Sequence, residues 1–352
     1  MVKRVLLGFS GGVDSTMACL ELLQSGYDVV PVTLFFKGFH SETSVKKARM
    51  MAEALGVKNK HVVYESEELF KRKVLCDFLG NYEKGFTPNP CVICNERVKF
   101  KVLMKIANTE GCNKIATGHY ARISTASRDV KLCRGIDPAK DQSYMLYRLP
   151  KTFYSYLLFP NGTKTKYEIW EKALQVFPDI TKGMKESEDL CFLKKGELYN
   201  FLEKNIKSTK RGAIVSVSGE ILGRHDGIYK YTIGQRQGLG LAGGPWYVVD
   251  KRKDENVIVV GRKKDLSAKV IYCCNAVMHK KIVDGTLLAF KHRYRAKSTM
   301  GIFFNINKKE FMIEPVKPVY GVAPGQSLVL YSGSRVLGGG IIEKSVRGNK
   351  ND

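Results

Sequence analysis

Short apolar runs alternate with amphipathic stretches over the first third of the chain. Residues 3–9 read as a strand that ends in Gly8-Phe9-Ser10-Gly11-Gly12, and a helix begins at about Val13, with Val13, Met17 and Leu20 on one face. A second strand covers 28–36 and holds the longest apolar run, interrupted by Pro31. Over 44–56 the positions Val45, Ala48, Ala52 and Leu55 recur at helical spacing, with Ser44 as N-cap and Gly56 as the stop. The pattern then predicts a strand over 60–65, a helix over 66–79 and a turn-rich loop over 81–95. A helix over 98–109 has Phe100, Leu103, Met104 and Ala107 inward, and a strand over 113–117 runs into Gly118-His119-Tyr120. Strands alternating with helices imply βαβ units and a parallel sheet covered on both faces. Such sheets bind ligands beyond the carboxyl ends of their strands, where both glycine-bearing loops fall.

Beyond residue 194 the texture changes. Residues 212–262 are short segments rich in Gly, Val, Ile and Tyr. Six short strands follow, over 270–274, 286–293, 298–306, 310–315, 326–331 and 336–343, the spacing of a small β-barrel. The expected organisation is a catalytic domain over 1–194, a small central domain over 195–262, a β-barrel over 263–347 and a polar tail over 348–352.

Composition adds a partner class. The 352 residues hold 58 Lys and Arg against 34 Asp and Glu, a net charge of +24. The excess is +9 over 1–194 and +15 over the shorter 195–352. Charge of that size suits a polyanion, because neutralising phosphates releases counterions. With 44% hydrophobic residues a largely disordered chain is excluded. No apolar run approaches the ~18 residues of a membrane helix, and the basic start runs directly into a motif, so a soluble cytoplasmic protein is expected. Nine cysteines, an odd number without a secretion signal, argue against a disulfide framework.

Three segments carry chemistry. In Ser10-Gly11-Gly12-Val13-Asp14-Ser15 the glycines let backbone N–H groups approach an anion, the helix start adds positive potential and the serines add hydroxyls. Asp14 is placed to hold a magnesium ion bridging phosphates. The Gly-Lys-Ser/Thr ending of a Walker A loop is missing. The hexapeptide resembles the loop of the N-type ATP pyrophosphatases, which activate a carbonyl oxygen with AMP. In Thr87-Pro88-Asn89-Pro90-Cys91-Val92-Ile93-Cys94 two prolines stiffen the approach to a Cys-x-x-Cys pair near a helix start, with Arg97 and Lys99 adding positive charge. A zinc clip would need a second such pair or two histidines at suitable spacing, and neither is found. A third thiol, Cys191, lies in Asp189-Leu190-Cys191-Phe192.

Taken in order, these motifs resemble the tRNA-specific 2-thiouridylases of bacteria and mitochondria. The likeness extends through Lys140-Asp141-Gln142-Ser143-Tyr144, Tyr231-Thr232-Ile233-Gly234-Gln235-Arg236, Pro245-Trp246, Arg293-Tyr294-Arg295, Pro324-Gly325-Gln326 and Leu337-Gly338-Gly339-Gly340. It implies an α/β fold: an adenine-nucleotide alpha-hydrolase-like domain of the N-type ATP pyrophosphatase kind, then a small central domain and a C-terminal β-barrel. It implies ATP-dependent 2-thiolation of the wobble uridine of tRNA, by adenylation of the C2 oxygen and transfer of persulfide sulfur. ATP and magnesium would lie against Gly8, Phe9, Ser10, Gly11, Gly12, Val13, Asp14, Ser15, Phe36 and Gly118. Cys191 would carry the persulfide and Cys94 would be the nucleophile that ends in a disulfide with it. Asn89, Pro90, Cys91 and His119 would lie near the target base. Lys140, Asp141, Gln142, Arg293, Tyr294 and Gln326 would contact the anticodon-stem-loop region. A sulfur-relay protein or a cysteine desulfurase would be the donor.

One position departs from the family pattern: many members have aspartate where this chain has Cys91. A thiol cannot replace a carboxylate unchanged, so Cys91 stands as a tolerated variant, an extra sulfur handler or a ligand, with Cys94 and Cys191, of a [4Fe–4S] cluster. An amide-forming ligase with the same loop, of the argininosuccinate synthetase kind, is the competing enzyme reading. It explains ATP but neither the basic β-rich tail nor the paired cysteines.

Overall fold

The computed structural model describes residues 3–126, 129–181, 190–194, 196–206 and 210–347. Residues 182–189 of the Cys191 segment and the tail over 348–352 lie outside that set. The chain forms two compact units. One comprises Met1–Val74, Cys91–Lys195 and Ser334–Val336; the other comprises Leu75–Pro90, Gly196–Gly333 and Leu337–Asp352.

The first unit is built on a five-stranded parallel sheet. Its strands are β1 (Arg4–Gly8), β2 (Asp28–Phe35), β3 (Val62–Glu65), β4 (Lys114–Thr117) and the short Leu157–Leu158, in the order β3-β2-β1-β4 and then Leu157–Leu158. Two successive strands, β2 and β3, run outward from β1 in one direction, and the chain then crosses back to place β4 on the other side. The junction of β1 and β4 is therefore the switch point, and the loops leaving these two strands open there. Val5, Leu7, Val29 and Ala116 of the sheet pack with Ala18, Cys19 and Leu22 of the helix Val13–Gln24 (α1) and with Ala48, Met51 and Ala52 of the helix Glu42–Ala54.

Local details correct the sequence reading. Helix Glu42–Ala54 starts from Ser41 rather than Ser44, because Ser44 Oγ instead donates to the Ser41 carbonyl at 2.6 Å. The helix expected over 66–79 is interrupted by a π-helical turn at Lys71–Leu75. The loop expected over 81–95 ends in a helix, Pro90–Cys94, which passes through a second π turn, Asn95–Lys99, into Phe100–Thr109. A hairpin, Ala121–Ser124 with Lys131–Arg134, was not foreseen; it pairs with Arg335 of the returning segment.

In the second unit four strands, Gly212–Ser216, Ile221–His225, Tyr247–Arg252 and Val257–Gly261, form one sheet around Ile214, Val248, Ile258 and Val260. Six further strands close into an antiparallel barrel in the order Ser267–Met278, Glu310–Pro315, Thr299–Asn307, Thr286–Lys291, Ser327–Ser332 and Arg335–Arg347, the last pairing back to the first. Alternating residues Ile271, Cys273, Phe290, Phe303, Phe311, Ile313, Leu328 and Leu330 fill it. Among the described residues no helix is long and apolar enough to cross a membrane.

Candidate active site

The loop between β1 and α1 is stapled by its own serines. Ser15 Oγ donates to the Gly12 carbonyl at 3.0 Å and accepts from Ser10 N–H at 3.2 Å, while Gly12 N–H donates to Ser10 Oγ at 3.3 Å. The hydroxyls expected to face an anion thus also hold the loop in shape. Gly11 has φ +70°, and a Cβ there would lie 2.6 Å from Ala48 Cα, so glycine is required. No side chain caps α1, whose first N–H groups follow Gly12. Gly8 opens the loop; Phe9 and Val13 are buried and anchor it in the core.

The second loop is tied to the first. A Cβ on Gly118 would lie 2.9 Å from the Asp14 carbonyl carbon. Asn161 Nδ2 donates to the carbonyls of Asp14 at 2.8 Å and Gly118 at 3.1 Å, clamping the two loops together. Asp14 Oδ1 accepts from Tyr120 Oη and from Lys166 Nζ, each at 2.6 Å. Lys166 Nζ also lies 5.5 Å from the centroid of Trp170. Asn161 and Lys166 were missed in the sequence, since neither belongs to a motif. The capping box of Thr165 with Glu168, which starts the helix Lys166–Val176, is the signal that would have flagged the element.

Phe36, at the position expected beside adenine, is buried and stacks on Phe70 with centroids 4.4 Å apart and planes at 15°. Phe70 in turn meets the edge of Phe192 at 5.3 Å. This wall joins the carboxyl end of β2 to the residue next to Cys191.

Cys91 and Cys94 lie one turn apart on Pro90–Cys94. The following π turn is anchored by Asn95 Nδ2, which donates to the Met145 carbonyl at 3.0 Å, and by Glu96, paired with the buried Arg148 at 2.9 Å. Cys94 is buried, Cys91 half-buried and Cys191 exposed. Burial pushes the Cys94 thiol up to about 12; Lys99 counters, while Cys191 and Cys91 add to the rise. Burial and then Cys191 push Cys91 up to about 11, against Lys99. Cys191 is raised by desolvation from surrounding atoms and lowered by Lys99. Cys191 thus acts on both other thiols, Cys91 acts on Cys94, and one ammonium acts on all three. Among the described residues no group of three from His, Cys, Asp and Glu is placed to hold a metal ion.

His119 Nδ1 lies 2.7 Å from Thr117 Oγ1, and the ring stacks against Phe100 at 6.0 Å. Desolvation first, and then Lys99, hold its pKa well below the ordinary value, so the imidazole is neutral. Asp141 is buried, its Oδ1 accepting from Gly135 and Ser143 N–H at 3.2 and 3.0 Å. Gln142 Oε1 accepts from Tyr120 N–H at 2.9 Å, and Lys140 is half-buried beside them.

In the second unit the two motifs expected at the base and the tRNA meet. Thr87 N–H donates to the Pro324 carbonyl at 2.8 Å, and Gln326 Nε2 donates to the Thr87 carbonyl at 2.7 Å. Gln326 therefore braces the stretch leading to Asn89 and Pro90. Arg293 Nη2 donates to the Ile233 carbonyl at 2.6 Å, and Lys291 Nζ lies 5.7 Å from the Tyr294 ring centroid.

A serine–glycine loop at the switch point of a parallel sheet, an aromatic wall from Phe36 to Phe192 and a Cys-x-x-Cys pair on a short helix define an α/β domain that carries phosphate-loop and thiol features together. Residues 3–195 match the family described as the tRNA methyl transferase HUP domain. Residues 199–262 match the tRNA methyl transferase PRC-barrel domain, and 267–342 the aminomethyltransferase beta-barrel domain. The chain is 38% identical over 360 residues to the tRNA-specific 2-thiouridylase MnmA of Carboxydothermus hydrogenoformans, covering 97% of this chain and 98% of that one. It is 38% identical over 352 residues to the MnmA of Synechocystis sp., covering 97% of each, and 35% identical over 362 residues to that of Clostridioides difficile, covering 98% and 99%. The chain belongs to the tRNA-specific 2-thiouridylase family.

Proposed function

We propose that this protein thiolates C2 of the wobble uridine of tRNA with ATP and persulfide sulfur. The observation that carries the reading is the Phe36–Phe70–Phe192 wall, which runs from the carboxyl end of β2 to the neighbour of Cys191, the thiol that acts on both Cys91 and Cys94. A carbonyl oxygen is a poor leaving group and AMP a good one. The cradle amides and Lys166 hold the phosphates while the C2 oxygen attacks the α-phosphorus and pyrophosphate leaves. Asp14 Oδ2, beside Lys166, is the atom that would hold magnesium, which supplies charge neutralisation on the phosphates.

Sulfur arrives on Cys191, the exposed thiol, from a relay protein or a cysteine desulfurase. The terminal persulfide sulfur bonds to C2 and AMP departs. The Cys94 thiolate then attacks the Cys191 sulfur, forming the Cys94–Cys191 disulfide and leaving sulfur on C2. In the other order, Cys94 first releases hydrosulfide, which attacks C2; both end in the same disulfide. Lys140, Arg293, Tyr294 and the braced segment at Asn89 and Pro90 serve as contacts to the anticodon stem-loop and to a base turned out of its stack. Neutral His119 suits a hydrogen bond to an uncharged uracil edge.

The test is pyrophosphate release with and without unmodified tRNA, together with mass spectrometry of the wobble uridine. Release stimulated by tRNA, with 2-thiouridine formed, is expected. Release that requires a small amine instead would return the ligase reading, which leaves the three thiols idle.

A further inference from the structure

The thiolation scheme uses two thiols, yet Cys191 acts on a third, Cys91, as well as on Cys94. Cys91 and Cys94 are three residues apart on the helix Pro90–Cys94. That spacing puts two Cβ atoms about 5–6 Å apart on one helix face, a small adjustment from the roughly 3.5–4.5 Å of a disulfide. Cys191 differs from both: it is exposed, on a turn closed by Leu193 N–H donating to the Leu190 carbonyl at 3.1 Å. The thiol that must meet an outside donor is thus the exposed one, and the two on the helix are the sheltered ones.

We propose that Cys91 is a resolving thiol that frees Cys191 after sulfur transfer, by moving the disulfide onto the helix. The inference rests on the thiolation reading and deepens it. The Cys91 thiolate attacks Cys94 Sγ of the Cys94–Cys191 disulfide. The Cys91–Cys94 bond forms, the Cys94–Cys191 bond breaks, and Cys191 leaves as a thiolate that takes up the proton Cys91 lost. Electrons balance without an outside oxidant. A cellular dithiol then reduces Cys91–Cys94 by two electrons. Fixed proximity on one helical turn offsets the low thiolate fraction that burial imposes on Cys91. Lys99, which acts on all three thiols, stabilises whichever sulfur carries the charge. Once freed, Cys191 can be recharged while the helical pair awaits reduction.

Two measurements on the full-length protein decide this. In the first, the free enzyme is equilibrated in a series of dithiothreitol redox buffers, quenched with an alkylating reagent, and its disulfides are mapped by peptide mass spectrometry. Cys91–Cys94 is expected as the predominant pair, with Cys191 alkylated. Predominance of Cys94–Cys191, or no pair at all, overturns the proposal. In the second, persulfide-loaded enzyme undergoes one turnover with ATP and tRNA and is then offered fresh persulfide without reductant. Wild type is expected to reload Cys191; Cys91→Ser is expected to hold the Cys94–Cys191 disulfide and to reload at least tenfold less. Equal reloading overturns the proposal. A failure to form 2-thiouridine counts against the thiolation reading itself, while the redox series still decides the pairing.

Discussion

Phe192 presents its ring edge to Phe70 at 5.3 Å, and this contact places the neighbour of Cys191 on the same aromatic wall as Phe36. A thiol nearly a hundred residues from Cys94 in sequence thereby neighbours a ring packed at the carboxyl end of β2. Phe192→Ala should leave ATP affinity within about twofold, because Phe36 and Phe70 remain stacked. It should slow sulfur transfer by about 10–100-fold through lost positioning. Phe70→Ala should cost about 3–5 kcal/mol of stability, since the ring is fully buried. Equilibrium ATP binding, single-turnover kinetics and urea unfolding read these three effects; an unchanged transfer rate in Phe192→Ala would remove the positioning role.

Asp14 and Lys166 act as a pair. Lys166→Ala should raise the KM for ATP and lower pyrophosphate release by roughly 10²–10³, the scale of losing a preorganised charge on a developing anion. Lys166→Arg should recover part of that loss, whereas Asp14→Asn, which removes the carboxylate that Lys166 pairs with, should lower release as well. Steady-state pyrophosphate assays at varied ATP separate the KM and kcat effects, and wild-type kinetics in Lys166→Ala would count against the pair.

The thiol pKa values set a pH dependence with a definite sign. Cys94, pushed up to about 12, is protonated at neutral pH. Its alkylation by iodoacetamide should rise about tenfold per pH unit from 7 to 9 without a plateau, because only the thiolate reacts. Lys99→Met should lower the rate at every pH in that range and Lys99→Arg should restore it. Peptide-resolved mass spectrometry gives the rate at Cys94 alone.

Lys251 is half-buried in the second unit, and desolvation takes its pKa down to about 7; its Nζ donates to the Tyr231 carbonyl at 2.6 Å. A lowered pKa means that the folded state disfavours the proton. The unfolded chain binds that proton below its ordinary value of 10.5, so stability falls as pH drops from 10.5 toward 7 and levels off below. Lys251→Met should flatten this slope and stabilise the protein at pH 7 by on the order of 2 kcal/mol, after the lost hydrogen bond is discounted. Urea melts of both proteins across pH 7–10 test it; parallel curves would contradict the assignment.

What the sequence disclosed and what it hid follow from range. The barrel strands were readable because alternating residues such as Phe311 and Ile313 face inward by a two-residue period, a local property. The cradle was readable because its glycines and serines are consecutive. Lys166 and Asn161 were not, because each reaches Asp14 from about 150 positions away and no local pattern marks them. The π turn at Asn95–Lys99 was hidden as well: its anchors, Met145 and Arg148, lie some fifty residues on. Asp141 resembled a tRNA-contacting position, and only three-dimensional packing reveals that its carboxylate is buried against backbone amides.

The membership of Leu75–Pro90 in the second unit has a practical bearing on how the chain can be dissected. Phe78 and Tyr82 are buried there, with their rings edge to face at 5.0 Å. A gene fragment ending near residue 195 would retain this stretch but lack the rest of the body it packs within. Two aromatic rings would then be laid open to water. Such a fragment should be sticky and poorly expressed, and a split enzyme would do better with the halves produced together than with either made alone.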